Sequence, residues 1–138
     1  MKKHTFKISM LVFGGLVLYS SCTKSTPTLH DKFVGSWKLR TAVIDLNNNG
    51  IQDATDTTEN LDSFNDTLIL NSNGSGTSSS IMGNASFTWN ISSDDKYLLF
   101  TDSGAKDPIG TLIISQPGST FVIKDTAGGI MWETFTKN

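Results

Sequence analysis

Between Asp45 and Asp56 the oxygen-bearing side chains fall at a regular spacing. Asp45, Asn47, Asn49, Asp53 and Asp56 stand at positions one, three, five, nine and twelve of the stretch, with Gly50 at six. Calcium is a hard cation that takes about six to eight oxygen ligands, and a glycine permits the sharp turn that folds alternate side chains toward one centre. These five residues are therefore candidate calcium ligands, and Ca2+ is the one cofactor the sequence suggests. The same residue types also build ordinary solvated turns, because Asn, Asp and Gly tolerate left-handed backbone and bind their own amides. No cluster of His and Cys supports zinc or another transition metal.

The stretch resembles the calcium loops of EF-hand, dockerin and thrombospondin type 3 repeats. It departs from the EF-hand in three respects: Asn replaces Asp at two ligand positions, Asp56 replaces the bidentate Glu, and no amphipathic helices flank it. Fewer charges imply weak affinity, in the range of extracellular modules.

Catalytic chemistry finds no such pattern. His4 belongs to an N-terminal leader and His30 stands beside the tether that follows it, so a Ser-His-Asp arrangement has no histidine to use. Asp94 and Asp95 are adjacent in a turn, where carboxylates cap amides and do not face each other across a cleft. Asp31 and Glu133 are the acids whose burial would matter, with Glu133 expected on the outward face of its strand. Gly128-Gly129 reads as a hairpin turn and not a phosphate loop, since no helix follows. The chain reads as a non-enzyme.

A second chemical residue is Cys22, the single cysteine of the 138 residues. Met1 to Lys7 is a basic n-region and Ile8 to Leu18 an apolar h-region, too short for a confident membrane span and matching a secretory signal. Leu18-Tyr19-Ser20-Ser21-Cys22 resembles a bacterial lipobox, although Tyr19 stands where Leu is commoner. The resemblance implies cleavage before Cys22 and lipid on its sulfur. An exported lone thiol has no disulfide partner within the chain, and lipidation removes that liability. Several acyl chains anchor stably where a single one is marginal. The expected organisation is a signal peptide over 1–21, a polar tether over 22–28 and one β-domain over 29–138. Thr23 is not the Asp that favours inner-membrane retention in enteric bacteria, so the outer membrane is expected, on its periplasm-facing leaflet. Without Lys2, Lys3 and Lys7 the remainder holds eight basic and thirteen acidic residues, a net charge of −5. An acidic domain without a basic stripe is a poor partner for nucleic acid.

The elements that position these residues are short strands. In Gly35-Ser36-Trp37-Lys38-Leu39-Arg40-Thr41-Ala42-Val43, the residues Trp37, Leu39 and Val43 share one parity and Ser36, Lys38 and Arg40 the other. Leu29 to Val34 before it allows one helical turn with Phe33 and Val34 toward a barrel end. Seven further strand signals follow, at 67–70, 76–82, 85–91, 97–101, 109–115, 120–124 and 130–136, divided mostly by hairpin-length turns. The polar stretch from Asn47 to Asp66 is long for a connection and reads as a functional or mobile loop. Sequential antiparallel pairing with closure removes the exposed edges, so the expected fold is an all-β, eight-stranded, antiparallel up-and-down barrel, with a β-sandwich of similar size as the alternative.

The Gly35-Ser36-Trp37 start, just after a helical turn and opening an all-β chain, resembles the first strand of lipocalin-like proteins, and most closely the small lipocalin-like lipoproteins of Bacteroidetes-type bacteria. That resemblance implies that Trp37 plugs the closed end, often beneath an Arg from near the C-terminus; here Arg40 is the only arginine. It also implies that the 45–66 loop lies across an open mouth. An eight-stranded barrel is just wide enough to be filled by side chains or to hold one small ligand. The expected interior, and ligand-lining set, is Trp37, Leu39, Val43, Leu68, Leu70, Phe87, Trp89, Ile91, Leu98, Phe100, Phe121, Ile123 and Trp132, with Phe135 inward only if a bulge intervenes. Two functions fit: a lipid-anchored module of the outer membrane holding a small apolar or amphipathic ligand, or a solid barrel serving as an interaction subunit of an envelope complex.

Overall fold

A computed structural model describes residues 25–138. The expected signal peptide and lipidated Cys22 lie outside the described residues. Thr28 opens α1 (Leu29–Phe33) with a reciprocal cap: its hydroxyl accepts from the Asp31 amide at 3.1 Å, and the Asp31 carboxylate accepts from the Thr28 amide at 2.9 Å. Val34 then leads straight into β1 (Gly35–Ile44).

The remaining strands are β2 (Thr57–Asn60), β3 (Thr67–Leu70), β4 (Ser75–Ser80), β5 (Gly83–Ile91), β6 (Tyr97–Asp102), β7 (Ile109–Ser115), β8 (Thr120–Asp125) and β9 (Met131–Lys137). Every pairing is antiparallel, β3 to β9 follow one another in order, and β9 returns to β1 to close the sheet. β2 and β3 share one edge of β1: β3 pairs with Gly35 to Lys38, and β2 with Thr41 to Ile44. The two are halves of one interrupted stave, so nine segments make a closed eight-strand antiparallel barrel. The break holds a 3-10 turn (Asp62–Phe64) and Asn65 in left-handed backbone. Arg40 clamps it, its carbonyl accepting from the Leu61 amide at 2.8 Å and its guanidinium reaching Asp62 at 2.9 Å. β2 is unforeseen in the sequence because Thr57-Thr58-Glu59-Asn60 has no apolar alternation; the free edge of β1 recruits its backbone.

A bulge sets which residues face inward. Opposite β9, Leu39 pairs with Phe135 but Thr41 with Thr134, leaving Arg40 as the extra residue. Trp37 and Leu39 point inward before it, and Ala42 and Ile44 after it. Val43, expected inside by parity, is therefore on the outer face. On β9 the simple alternation holds, and it reverses two expectations. Phe135, Glu133 and Met131 share the inner face with Phe121, Ile123 and Asp125 of β8, whereas Trp132 pairs with Val43 and Lys124 on the outside.

The end of the barrel nearest α1 is packed solid. Phe33, Trp37, Leu98 and Phe121 have no exposed surface, and Leu70 is buried with them. The Trp37 indole Nε1 donates to the Phe33 carbonyl at 2.7 Å. Phe121 meets Trp37 and Phe33 edge-on at 4.7 and 5.1 Å and stacks on Phe135 at 4.9 Å. The Lys137 ammonium lies 5.3 Å from the centre of the Trp37 ring. A lysine thus supplies the C-terminal cation over this tryptophan where the sequence offers no arginine. Trp89 is buried too, with Nε1 shared between the Asn71 and Ser75 carbonyls at 3.1 Å each, and His30 of α1 stacks on its ring at 4.3 Å. The described residues contain the whole closed sheet and its core, as a unit that folds by itself requires.

Candidate functional site: the open mouth of the barrel

The opposite end carries the 45–56 connection, the β4–β5 turn, the 103–108 loop and the β8–β9 turn. Its interior is less full, for a reason visible in the residue types. The inward positions of β4 are Gly76, Ser78 and Ser80, and Ser78 faces Ala85 of β5. A Cβ at Gly76 would collide with the Phe87 ring, which fills the space there and packs edge-on against Phe100 at 5.3 Å. Beyond Phe87 only small side chains project. They leave a hollow of about 180 Å³ lined by Leu39, Asp66, Leu68, Ser78, Ser80 and Phe135. A second hollow of about 340 Å³ opens at the rim between Ile44, Asp125 and Met131. Glu133 lies on the same face of β9 between Met131 and Phe135, one from each hollow.

The charge in this mouth is one-sided. Glu133 is desolvated by burial and faces the negative charges of Asp125 and Asp66, which together push its carboxyl up to about 7. Asp66 Oδ1 is buried without a hydrogen-bond partner. The cations of the neighbouring strands are engaged elsewhere: Lys38 with Asn65, Arg40 with Thr136 and Asp62, Lys124 with Gly50, and Lys137 over Trp37 at the closed end.

The expected interior set divides accordingly. Trp37, Leu70, Trp89, Leu98, Phe121 and Ile123 make the solid core, with Ile91 partly buried against it. Leu39, Leu68 and Phe135 are core residues that also border a hollow, and Phe87 and Phe100 are partly buried against the core. Val43 and Trp132 do not line the interior. Glu133, Asp125 and Asp66 are the acids of the mouth: the simple alternation of β9 turns Glu133 inward with Phe135, and Asp66 escapes parity reading because it sits in the β2–β3 break.

The 45–56 connection does not lie across the mouth. The buried Asp45 is tied by its amide to the Ile130 carbonyl at 3.0 Å, and Lys124, on the outer face, donates to the Gly50 carbonyl at 2.8 Å while passing 5.0 Å from the Trp132 ring. The connection is held on the outer wall, where Trp132 is only 5% exposed.

Its five candidate ligands are committed to the loop itself. Asp45 accepts from the Asn49 and Gly50 amides at 3.2 and 2.7 Å. Asn47 and Asn49 each accept a backbone amide and turn their Nδ2 groups onto Asp53 at 3.1 and 2.8 Å. Asp53 also accepts from Thr55, and these bonds hold its carboxyl far below the usual carboxylate range. Asp56 accepts from the Asp53 amide at 2.9 Å, leaving its Oδ1 without a partner. A cation placed among them would meet the Nδ2 hydrogens of both asparagines. Among the described residues no three His, Cys, Asp or Glu side chains gather as a metal site.

A further hollow, about 620 Å³, lies outside the barrel, where His30, Asn73, Thr88, Asn90, Leu99 and Thr101 border an open groove. Its outer-face residues on β5 and β6 are mostly polar, and no titratable group other than His30 enters it. No protein-family model, curated protein or solved structure matches this chain.

Proposed function

We propose that this chain is a lipid-anchored, lipocalin-like binding module of the bacterial outer membrane that holds a small apolar or amphipathic ligand in the barrel mouth. The observation that supports this reading is the asymmetry of the barrel: one end is filled by Phe33, Trp37, Phe121 and Leu98, while the other keeps a hollow of about 180 Å³ among inward side chains and one of about 340 Å³ at its rim. Ligand sites are concave, mainly apolar and of a few hundred cubic ångströms, with few polar groups. The tether runs into α1, at the filled end. An anchor at Cys22 therefore leaves the mouth pointing away from its own membrane. A Cys22→Ser protein is expected to lose all palmitate labelling in the cell and to leave the membrane fraction; retained label would refute the anchor.

The test of binding uses the chain from Thr23 onward and the neutral fluorophore N-phenyl-1-naphthylamine. Saturable, blue-shifted emission is expected, and Ser78→Trp, which places a large ring in the hollow, is expected to weaken it by about tenfold or more. Emission that never saturates would favour the alternative, a solid interaction subunit. That alternative draws on the exposed tips Ile81 and Met82 at the β4–β5 turn, 69% and 92% accessible.

A further inference from the structure

The mouth has a charge preference as well as a volume. Cross-strand register fixes the facing of its acids: Glu133 lies opposite Ala42 and Ile123, both buried inward, and Asp125 lies opposite Met131 on the same face. Asp66 precedes β3 in the parity of the inward Leu68 and borders the hollow with it. No cation of β1, β8 or β9 answers them, since all four are engaged on the outer wall, at the β2–β3 break or at the closed end. The unpartnered Asp66 Oδ1 is a buried acceptor with no donor, a state that folded chains usually avoid. Beside it the wall is apolar: Leu39, Leu68 and Phe135.

We infer that the mouth selects a cationic amphiphile, a ligand whose ammonium group sits on Asp66 and Glu133 and whose hydrocarbon part lies against Leu39, Leu68 and Phe135. This rests on the binding-module reading and names the ligand class for it. An ammonium supplies the donors that Asp66 lacks and offsets the mutual repulsion of Asp66, Asp125 and Glu133. A fatty acid would add one more negative charge to the same space. A neutral alcohol would gain the apolar contact alone. The bulge at Arg40 thereby does two things: it removes a cation to the Asp62 clamp and brings Ala42, a small residue, opposite Glu133.

Octylammonium, octanol and octanoate, matched in chain length, are to be compared as displacers of N-phenyl-1-naphthylamine from the chain beginning at Thr23. Octylammonium is expected to displace it at a concentration about tenfold or more below that of octanol, and octanoate above it. Glu133→Gln and Asp66→Asn should each bring the octylammonium-to-octanol ratio close to one, while Asp94→Asn, at the turn on the filled end, leaves the ratio as it was. Circular dichroism of each variant checks that the barrel is intact. Equal displacement by octanol and octylammonium, with the fluorophore bound saturably, would overturn the charge preference and leave the binding reading standing. No saturable fluorophore binding, with none of the three competing, would overturn both.

Discussion

Replacing Trp37 by alanine is expected to cost the barrel about 3–5 kcal/mol, the range for removing a fully buried aromatic side chain. Trp37 is inaccessible to solvent, lies edge-on to Phe121 at 4.7 Å, and carries the Lys137 ammonium 5.3 Å from its ring. Its truncation opens a cavity at the filled end and leaves the Phe33 carbonyl without its 2.7 Å donor. Trp37→Phe separates the terms: it keeps most of the ring and loses the hydrogen bond, for an expected loss of about 1–3 kcal/mol. Urea denaturation of the two variants measures both. A loss below about 1 kcal/mol for the alanine variant would mean that Trp37 is not the plug of this barrel.

The second large effect has the opposite sign. Glu133 has its carboxyl raised from 4.5 to about 7, by burial first and then by Asp125 and Asp66. The folded chain therefore binds the proton more tightly than the unfolded one. The contribution of Glu133 to stability should be greatest below the unfolded value of 4.5, fall as pH rises through the window up to about 7, and level off above it. The full loss is on the order of 3 kcal/mol. Glu133→Gln keeps the shape without the charge. It is expected to be more stable than the parent by about 2–3 kcal/mol at a pH of about 8, and to show no slope from this residue between about pH 5 and 7. The charged groups facing Glu133 are Asp125 from β8 and Asp66 from the start of β3. None is cationic, so nothing opposes the shift. Parallel pH profiles for parent and variant would show that Glu133 is solvated. A site that sacrifices stability by holding a desolvated carboxylate fits a group kept for a ligand and not for the fold.

Most of the barrel is legible in the sequence because its strands alternate apolar and polar residues between Gly, Asn and Pro turns. Phe87, Trp89 and Ile91, or Phe121 and Ile123, declare their inner face by parity alone, and the helical turn before Trp37 is visible from Leu29 to Phe33. Parity fails where the backbone adds a residue. The Arg40 bulge moves Val43 outside and Ala42 inside, and nothing in Leu39-Arg40-Thr41 announces it. β2 is legible only as polar loop, since its backbone pairs with β1 while its side chains remain mostly exposed. Trp132 looks like core by type, yet it is buried on the outer wall, with Lys124 reaching across it to Gly50. One signal for the mouth was present: a serine-rich β4 has too little side-chain volume to fill a barrel opposite Leu68. The acids beside it were hidden by the assumption that a carboxylate on a strand faces water.

The most direct test of the central claim, that the mouth holds a small ligand, is native mass spectrometry of the chain from Thr23 onward, taken gently from the bacterial cell. The expected result is a retained small molecule that disappears in Ser78→Trp, with a mass and fragmentation pattern showing an alkyl amine or related organic cation. A bare protein mass for both, with no saturable fluorophore binding at the mouth, would contradict it and make the barrel an interaction subunit.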